Sequence, residues 1–163
     1  MAQTPYNRAL DLLSARPYTV RQLRRKLIQK EVPAAEADAV IERLVGAGLL
    51  DDARYALAYA RSRLVGQGSS VRRIGQDLAR KGVNAEVARD AIAEVIVEEE
   101  VDPRAVIERV ARKKLASMGE LEPVVLRRRL FAFLARRGYD LDEIRDAVAA
   151  VGKGQHGFPL SRE

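Results

Sequence analysis

Eleven cations in three short stretches are the side chains with the most chemistry to offer: Arg21, Arg25 and Lys30; Arg72, Arg73, Arg80 and Lys81; Arg128, Arg129, Arg136 and Arg137. A guanidinium holds its N–H donors in a planar fork that grips a carboxylate or phosphate through paired bonds, and an ammonium adds a mobile point charge. Such rows bind anions. They do not make or break bonds by themselves, and the groups that would do so are scarce. The chain has no Cys, which excludes disulfides, thiolate catalysis and Cys-ligated zinc. His156 is the one histidine and has no evident partner. Asp51 and Asp52 form a carboxylate pair on paper, but neighbours on a helix point about 100° apart, so they read as a helix cap. Glu98, Glu99 and Glu100 lack the alternating ligands and the glycine of a calcium loop. There is no GxxxxGK[ST], no GxGxxG after a strand and no HExxH. The expectation is a binding protein without catalytic activity, cofactor or metal.

The formal net charge is +6, and its placement says more than its size. Residues 19–30 carry five basic and no acidic side chains, residues 70–81 four and one, and residues 122–137 five and one. The remainder is net acidic, above all residues 84–102, with seven acids against Arg89. A face that only keeps the chain in solution needs charge of either sign. The same sign three times points to an acidic partner. Two lesser features accompany the rows. Tyr55 and Tyr59 lie one helical turn apart, placed either to stack on bases or to pack between repeats. The run ERVARKK at residues 108–114 is a further basic cluster or plain surface.

What must position the cations is a block of about fifty residues that occurs three times. The copies are VRQLRRKLIQKEVPAAEADAVIERL (20–44), VRRIGQDLARKGVNAEVARDAIAEV (71–95) and RRRLFAFLARRGYDLDEIRDAVAAV (127–151). Apolar positions superpose as Leu23/Ile74/Leu130, Leu27/Leu78/Leu134, Val32/Val83/Tyr139 and Ile41/Ile92/Val148. Basic positions superpose as Arg21/Arg72/Arg128 and Lys30/Lys81/Arg137. Spacings of three and four residues predict helices, and Pro, Gly, Ser, Thr and Asp mark their ends. The predicted helices cover residues 5–14, 20–30 and 34–46; 51–66, 71–81 and 85–100; and 103–118, 122–137 and 141–151. Hydrophobic residues make up 47% and aromatics only 5%, with no Trp, a composition that suits helices better than a sheet. The expected fold is all-α, a tandem array of three three-helix repeats, elongated and curved. Its expected boundaries are 1–49, 50–101 and 102–151, followed by a flexible tail, 152–163. Each basic row falls on the second helix of a repeat.

The run GLLDDARYALAYARSR (48–63), followed by GQGSSVRRIGQDLARKGV (66–83), resembles the RecX family of recombination regulators. Its marks are Gly-Leu-Leu-Asp-Asp-x-x-Tyr-Ala, a glycine, a basic helix with Ile74 and Leu78, and Lys81-Gly82-Val83. The segment ALDLLSARPYTVRQLRRKL (9–27) is similar to the family's opening, with Thr19, Gln22, Leu23, Lys26 and Leu27 in the characteristic places. The resemblance implies tandem three-helix repeats and a protein that binds the RecA recombinase filament in its groove. It further implies a negative modulator of strand exchange, ATP hydrolysis and co-protease activity, with a place in DNA repair and the SOS response. Two departures stand out. Glu31 occupies the place of Gly82 and Gly138, and the tail after Gly152 matches nothing in the family pattern.

The resemblance does not fix which residues touch the filament, so the eleven cations are assigned to partner binding on the charge argument. Two other partners remain open: DNA, held directly through its phosphates, and some other acidic protein. Direct DNA binding would fall steeply with salt and persist without RecA. The first residues lack the apolar run of a signal peptide, and no segment approaches the length of a membrane span. A cytoplasmic monomer is the expectation.

Overall fold

The computed structural model describes residues 4–152. Of the expected tail 152–163, Gly152 is instead the buried last residue of the final helix, and the rest, His156 included, lies outside the described residues. The described chain is helical: α1 Pro5–Ala15, α2 Val20–Gln29, α3 Ala34–Gly46, α4 Asp52–Arg61, α5 Val71–Arg80, α6 Ala85–Glu98, α7 Pro103–Ser117, α8 Pro123–Arg136 and α9 Leu141–Gly152. The all-α expectation is met, with one local difference. The predicted helix 51–66 is regular only to Arg61 and then widens into a π-helical turn, Ser62–Gly66. There the Gln67 N–H reaches back five residues to the Ser62 carbonyl at 3.1 Å. The wider turn keeps Leu64 buried while the glycines behind it redirect the chain.

Helix starts follow from short polar side chains. Thr4 accepts from the Asn7 N–H and precedes Pro5 at the first helical position. Thr19 and Gln22 form a reciprocal capping box on α2. Asp102 accepts from the Arg104 N–H ahead of Pro103. The Asp51–Asp52 pair divides its work. Asp51 Oδ1 accepts from the N–H groups of Ala53 and Arg54 at 2.8 and 3.1 Å and so caps its own helix, α4. Asp52 Oδ1 instead accepts from the Val20 N–H, 2.8 Å away at the start of α2. Burial pushes the Asp52 carboxyl up, against the opposing pull of that N–H.

The second helices end alike. Val32, Val83 and Tyr139 each donate their N–H back to Leu27, Leu78 and Leu134, at 3.1, 3.0 and 3.4 Å, across a residue of positive φ. That residue is Gly82 (φ 89°) or Gly138 (φ 92°) in two cases and Glu31 (φ 63°) in the first. The four sets of superposed apolar positions are all buried, and Leu23, Leu27, Ile74, Leu78, Leu130 and Leu134 are 0% exposed. Truncating any one of these six to alanine is a cavity mutation, costing about 2–5 kcal/mol.

The chain divides into two compact units. One holds the residues up to Tyr59 together with Gly75–Ala91, the other Ala60–Ile74 together with the residues from Ile92 onward. Helices α4, α5 and α6 each contribute to both. In the first unit the core is built on Ala9, Tyr18, Leu23, Leu27, Val32, Ala37, Ile41 and Leu44. In the second it is built on Ile107, Ala111, Leu115, Leu130, Leu134, Tyr139, Ile144 and Val148.

Tyr139 adds a polar anchor to the second core. Its buried hydroxyl donates to the Gly68 carbonyl at 2.9 Å, and burial raises the phenol to about 12. A folded pKa above the ordinary value near 10 means that the protonated phenol favours the fold. That contribution is fully present below about pH 10 and is lost as pH rises through 10–12. Tyr139→Phe is therefore expected to cost about 1 kcal/mol at neutral pH and to flatten the alkaline limb of stability. Denaturant midpoints measured between pH 8 and pH 12 check both effects, and an unchanged alkaline limb would refute the assignment.

Candidate binding surface on the second helices

Helices α2, α5 and α8 carry eight of the eleven cations, with Lys30, Lys81 and Arg137 one residue past their ends, and the structure separates the eleven into two groups. The first is engaged in a joint that recurs from one repeat to the next. At the start of α2 the Thr19 hydroxyl donates to the Lys81 carbonyl at 2.6 Å, and the Arg21 side chain lies directly over Gly82. At the start of α5 the Ser70 N–H donates to the Arg137 carbonyl at 3.1 Å. Arg72 Nε and Nη2 donate to the Gly138 carbonyl at 3.2 and 2.9 Å. The heads of α2 and α5 thus cap the tails of α5 and α8, satisfying carbonyls that a helix end leaves open. The equivalent carbonyl in the first repeat, Lys30, has no earlier second helix to meet and accepts instead from Arg8 Nη1 of α1 at 2.8 Å.

Several predicted binding residues consequently have structural work. Arg72 is a latch. Half-buried Arg73 crowds Gly138 with its Cβ, beside Ser70. Arg137 donates through Nη1 to the Gln67 carbonyl and places its guanidinium 4.7 Å from the Phe133 ring. Lys81 Nζ stands 5.2 Å from the Tyr59 ring, whose hydroxyl lies 3.3 Å from Asp77 Oδ2. Arg80 pairs with Asp77 at 3.3 Å but is largely exposed. Asp77 thus offsets part of the positive charge on α5.

The second group is uncommitted. Arg25, Lys30, Arg128, Arg129 and Arg136 are exposed, and their side chains form no hydrogen bond or ion pair among the described residues; the exposed Arg21 guanidinium is likewise unbonded, but its stem is packed over Gly82 in the joint. Arg24, beside them on α2, is different. Its fork holds Asp38 at 2.5 and 3.1 Å, which draws the Asp38 carboxyl below the usual range. The chemistry on offer is anion binding by Arg forks from α2 and α8, with α5 more nearly neutralised.

The lesser features also resolve. Tyr55 and Tyr59 stack on each other, with centroids 6.2 Å apart and planes 12° from parallel. Glu98 and Glu99 sit on the Arg61 guanidinium at 2.7 and 2.6 Å, which offsets the acidic end of α6. Residues Arg109, Lys113 and Lys114 of the ERVARKK run line a cleft together with Arg137. Only the density of charge in that run hinted at it. Among the described residues there is no cluster of metal-ligating side chains. No helix among them is long and apolar enough to cross a membrane.

Three successive three-helix domains, with second helices joined head to tail, define a tandem helical-domain protein. Profiles described as the first, second and third three-helix domains of RecX match residues 6–44, 51–92 and 100–148. The chain belongs to the RecX family. Regulatory protein RecX of Pelodictyon phaeoclathratiforme is 36% identical over 140 residues, covering 86% of this chain and 84% of the relative. Regulatory protein RecX of Xanthomonas oryzae pv. oryzae is 36% identical over 148 residues, covering 90% and 88%. The crystal structure of RecX from Lactobacillus salivarius superposes with a TM-score of 0.72 at 20% identity, over 90% of this chain and 94% of that one. At that identity the likeness speaks to the fold alone.

Proposed function

We propose that this chain is a regulatory protein that acts by binding and not by catalysis, and that its target is the RecA recombinase filament on DNA. It inhibits the filament's ATP hydrolysis, strand exchange and co-protease activity, working as a cytoplasmic monomer. The observation that carries this reading is the set of exposed cations without internal partners on α2 and α8. Spaced along one chain, they can meet acidic groups of neighbouring filament subunits at the same time. Contacts that are weak singly then add through effective concentration. Arg80 at the end of α5 and Lys81 just past it contribute as well, with Arg72, Arg73 and Arg137 chiefly holding the joints from which the others project. Family membership and the name regulatory protein RecX on the relatives favour this target over other acidic partners.

The test is RecA-catalysed ATP hydrolysis on single-stranded DNA, titrated with this protein at moderate salt. Inhibition well below one molecule per RecA subunit points to capping of filament ends, and inhibition only near stoichiometry points to coating of the groove. Undiminished hydrolysis at an excess of the protein refutes the reading.

A further inference from the structure

Within the second unit, the chain from Val65 to Gly68, α7 and the last turns of α8 enclose a cleft of about 570 Å³. Arg109, Lys113, Lys114 and Arg137 line it, and no carboxylate does. The acids nearby in sequence are engaged: Glu108 holds Arg112 at 2.8 Å, and Glu98 and Glu99 hold Arg61. Two of the four cations are planted by backbone. Arg109 Nη2 donates to the Val65 carbonyl at 3.1 Å, and Arg137 Nη1 donates to the Gln67 carbonyl. Each guanidinium keeps further N–H donors for a ligand. Lys114 Nζ lies 5.2 Å from the Phe133 ring centroid. Lys113 is exposed and makes no hydrogen bond or ion pair among the described residues.

Four like charges around one hollow repel each other, and an anion removes that cost. The volume is that of a small-ligand site. Two fixed forks and two point charges suit the many oxygens of a phosphate better than a single carboxylate. Val65, Val110 and Phe133 add an apolar wall on which a planar ring can rest. We propose that this cleft binds one nucleotide unit, its phosphate among Arg109, Lys113, Lys114 and Arg137 and its ring on that wall. The unit is either a free nucleotide or one residue of a single strand. The proposal stands apart from the RecA reading, because its test contains no RecA.

The test is fluorescence anisotropy of a labelled oligothymidylate titrated with the full chain. Lys113→Glu is expected to weaken binding roughly tenfold or more, since a charge-assisted hydrogen bond becomes a repulsion. The salt dependence of its binding should be shallower by about 0.7 in slope for each phosphate it no longer neutralises. Arg112→Gln also removes one positive charge from α7, outside the cleft, and should leave binding little changed. Circular dichroism melts verify that both variants fold. Competition identifies the source of the phosphate: displacement by thymidine monophosphate means a free nucleotide suffices, and failure to displace means the strand is required. Equal affinities for Lys113→Glu and Arg112→Gln would overturn the proposal, as would displacement of the strand by oligoglutamate at matched charge.

Discussion

Gly138→Val is expected to destabilise the second unit by about 3 kcal/mol or more. Two effects add. At φ 92° a residue with a Cβ is strained whatever its surroundings. The added Cβ would also stand 2.5 Å from Arg73 Cβ, 2.6 Å from Ser70 Oγ and 3.3 Å from Arg73 Cα. One of those atoms is backbone at the head of α5, so the joint must open for the side chain to fit. Arg72 would then lose its hold on the Gly138 carbonyl. The equivalent position in the first repeat supplies the contrast. Glu31 already carries a side chain at positive φ, where no preceding second helix abuts. Glu31→Gly should relieve that strain while loosening the unfolded chain, for a net gain under about 1 kcal/mol. Urea midpoints of the two variants measure the difference. Similar small effects at both sites would mean that the joint is not where the glycine is needed.

The second large effect concerns binding. Reversing Arg25, Arg128, Arg129 and Arg136 to glutamate should weaken inhibition of RecA-catalysed ATP hydrolysis by roughly a hundredfold or more, as attraction becomes repulsion at four sites. Helicity and melting should hardly change, because these side chains have no internal partners among the described residues. Reversing Arg72, Arg73 and Arg80, which the charge pattern recommends equally, is a poorer experiment. Arg72→Glu would aim a carboxylate at the Gly138 carbonyl and break the joint, so a loss of inhibition could not be told from a loss of structure. If the four-site variant folds and inhibits at wild-type levels, the surface on α2 and α8 does not meet the filament.

Much of this fold is legible in the sequence because local chemistry sets it. The three- and four-residue spacing of Leu23, Leu27 and their counterparts places each buried stripe. Thr19 with Gln22, and Asp102 with Pro103, mark helix starts within a few residues of the turn they cap. What is not legible depends on partners far away along the chain. Nothing near Asp52 says that it caps α2 and not its own helix. Nothing near Arg72 says that its guanidinium meets Gly138, which lies 66 residues on. Like-signed residues at equivalent positions therefore look like a single surface, although some hold the joints and others face solvent. One trace of the joints is visible in the sequence: Glu31 in the place of Gly82 and Gly138. The first repeat tolerates a side chain there because no preceding second helix is laid against it. The π-helical turn leaves no such trace, since its widening depends on how Leu64 and the following glycines fit the core.

The direction of the joints bears on the order in which the protein matures. Thr19 waits for the carbonyl of Lys81, which leaves the ribosome 62 residues later, and Arg72 waits 66 residues for Gly138. The first and second repeats are each finished by the one that follows. The first repeat closes its own tail early, through Arg8 and Lys30, 22 residues apart. Its head stays open until half the chain has been made. A nascent chain stalled between the second and third repeats would thus present an unfilled α5 head, a hydrogen-bonding end that a chaperone or another copy could seize.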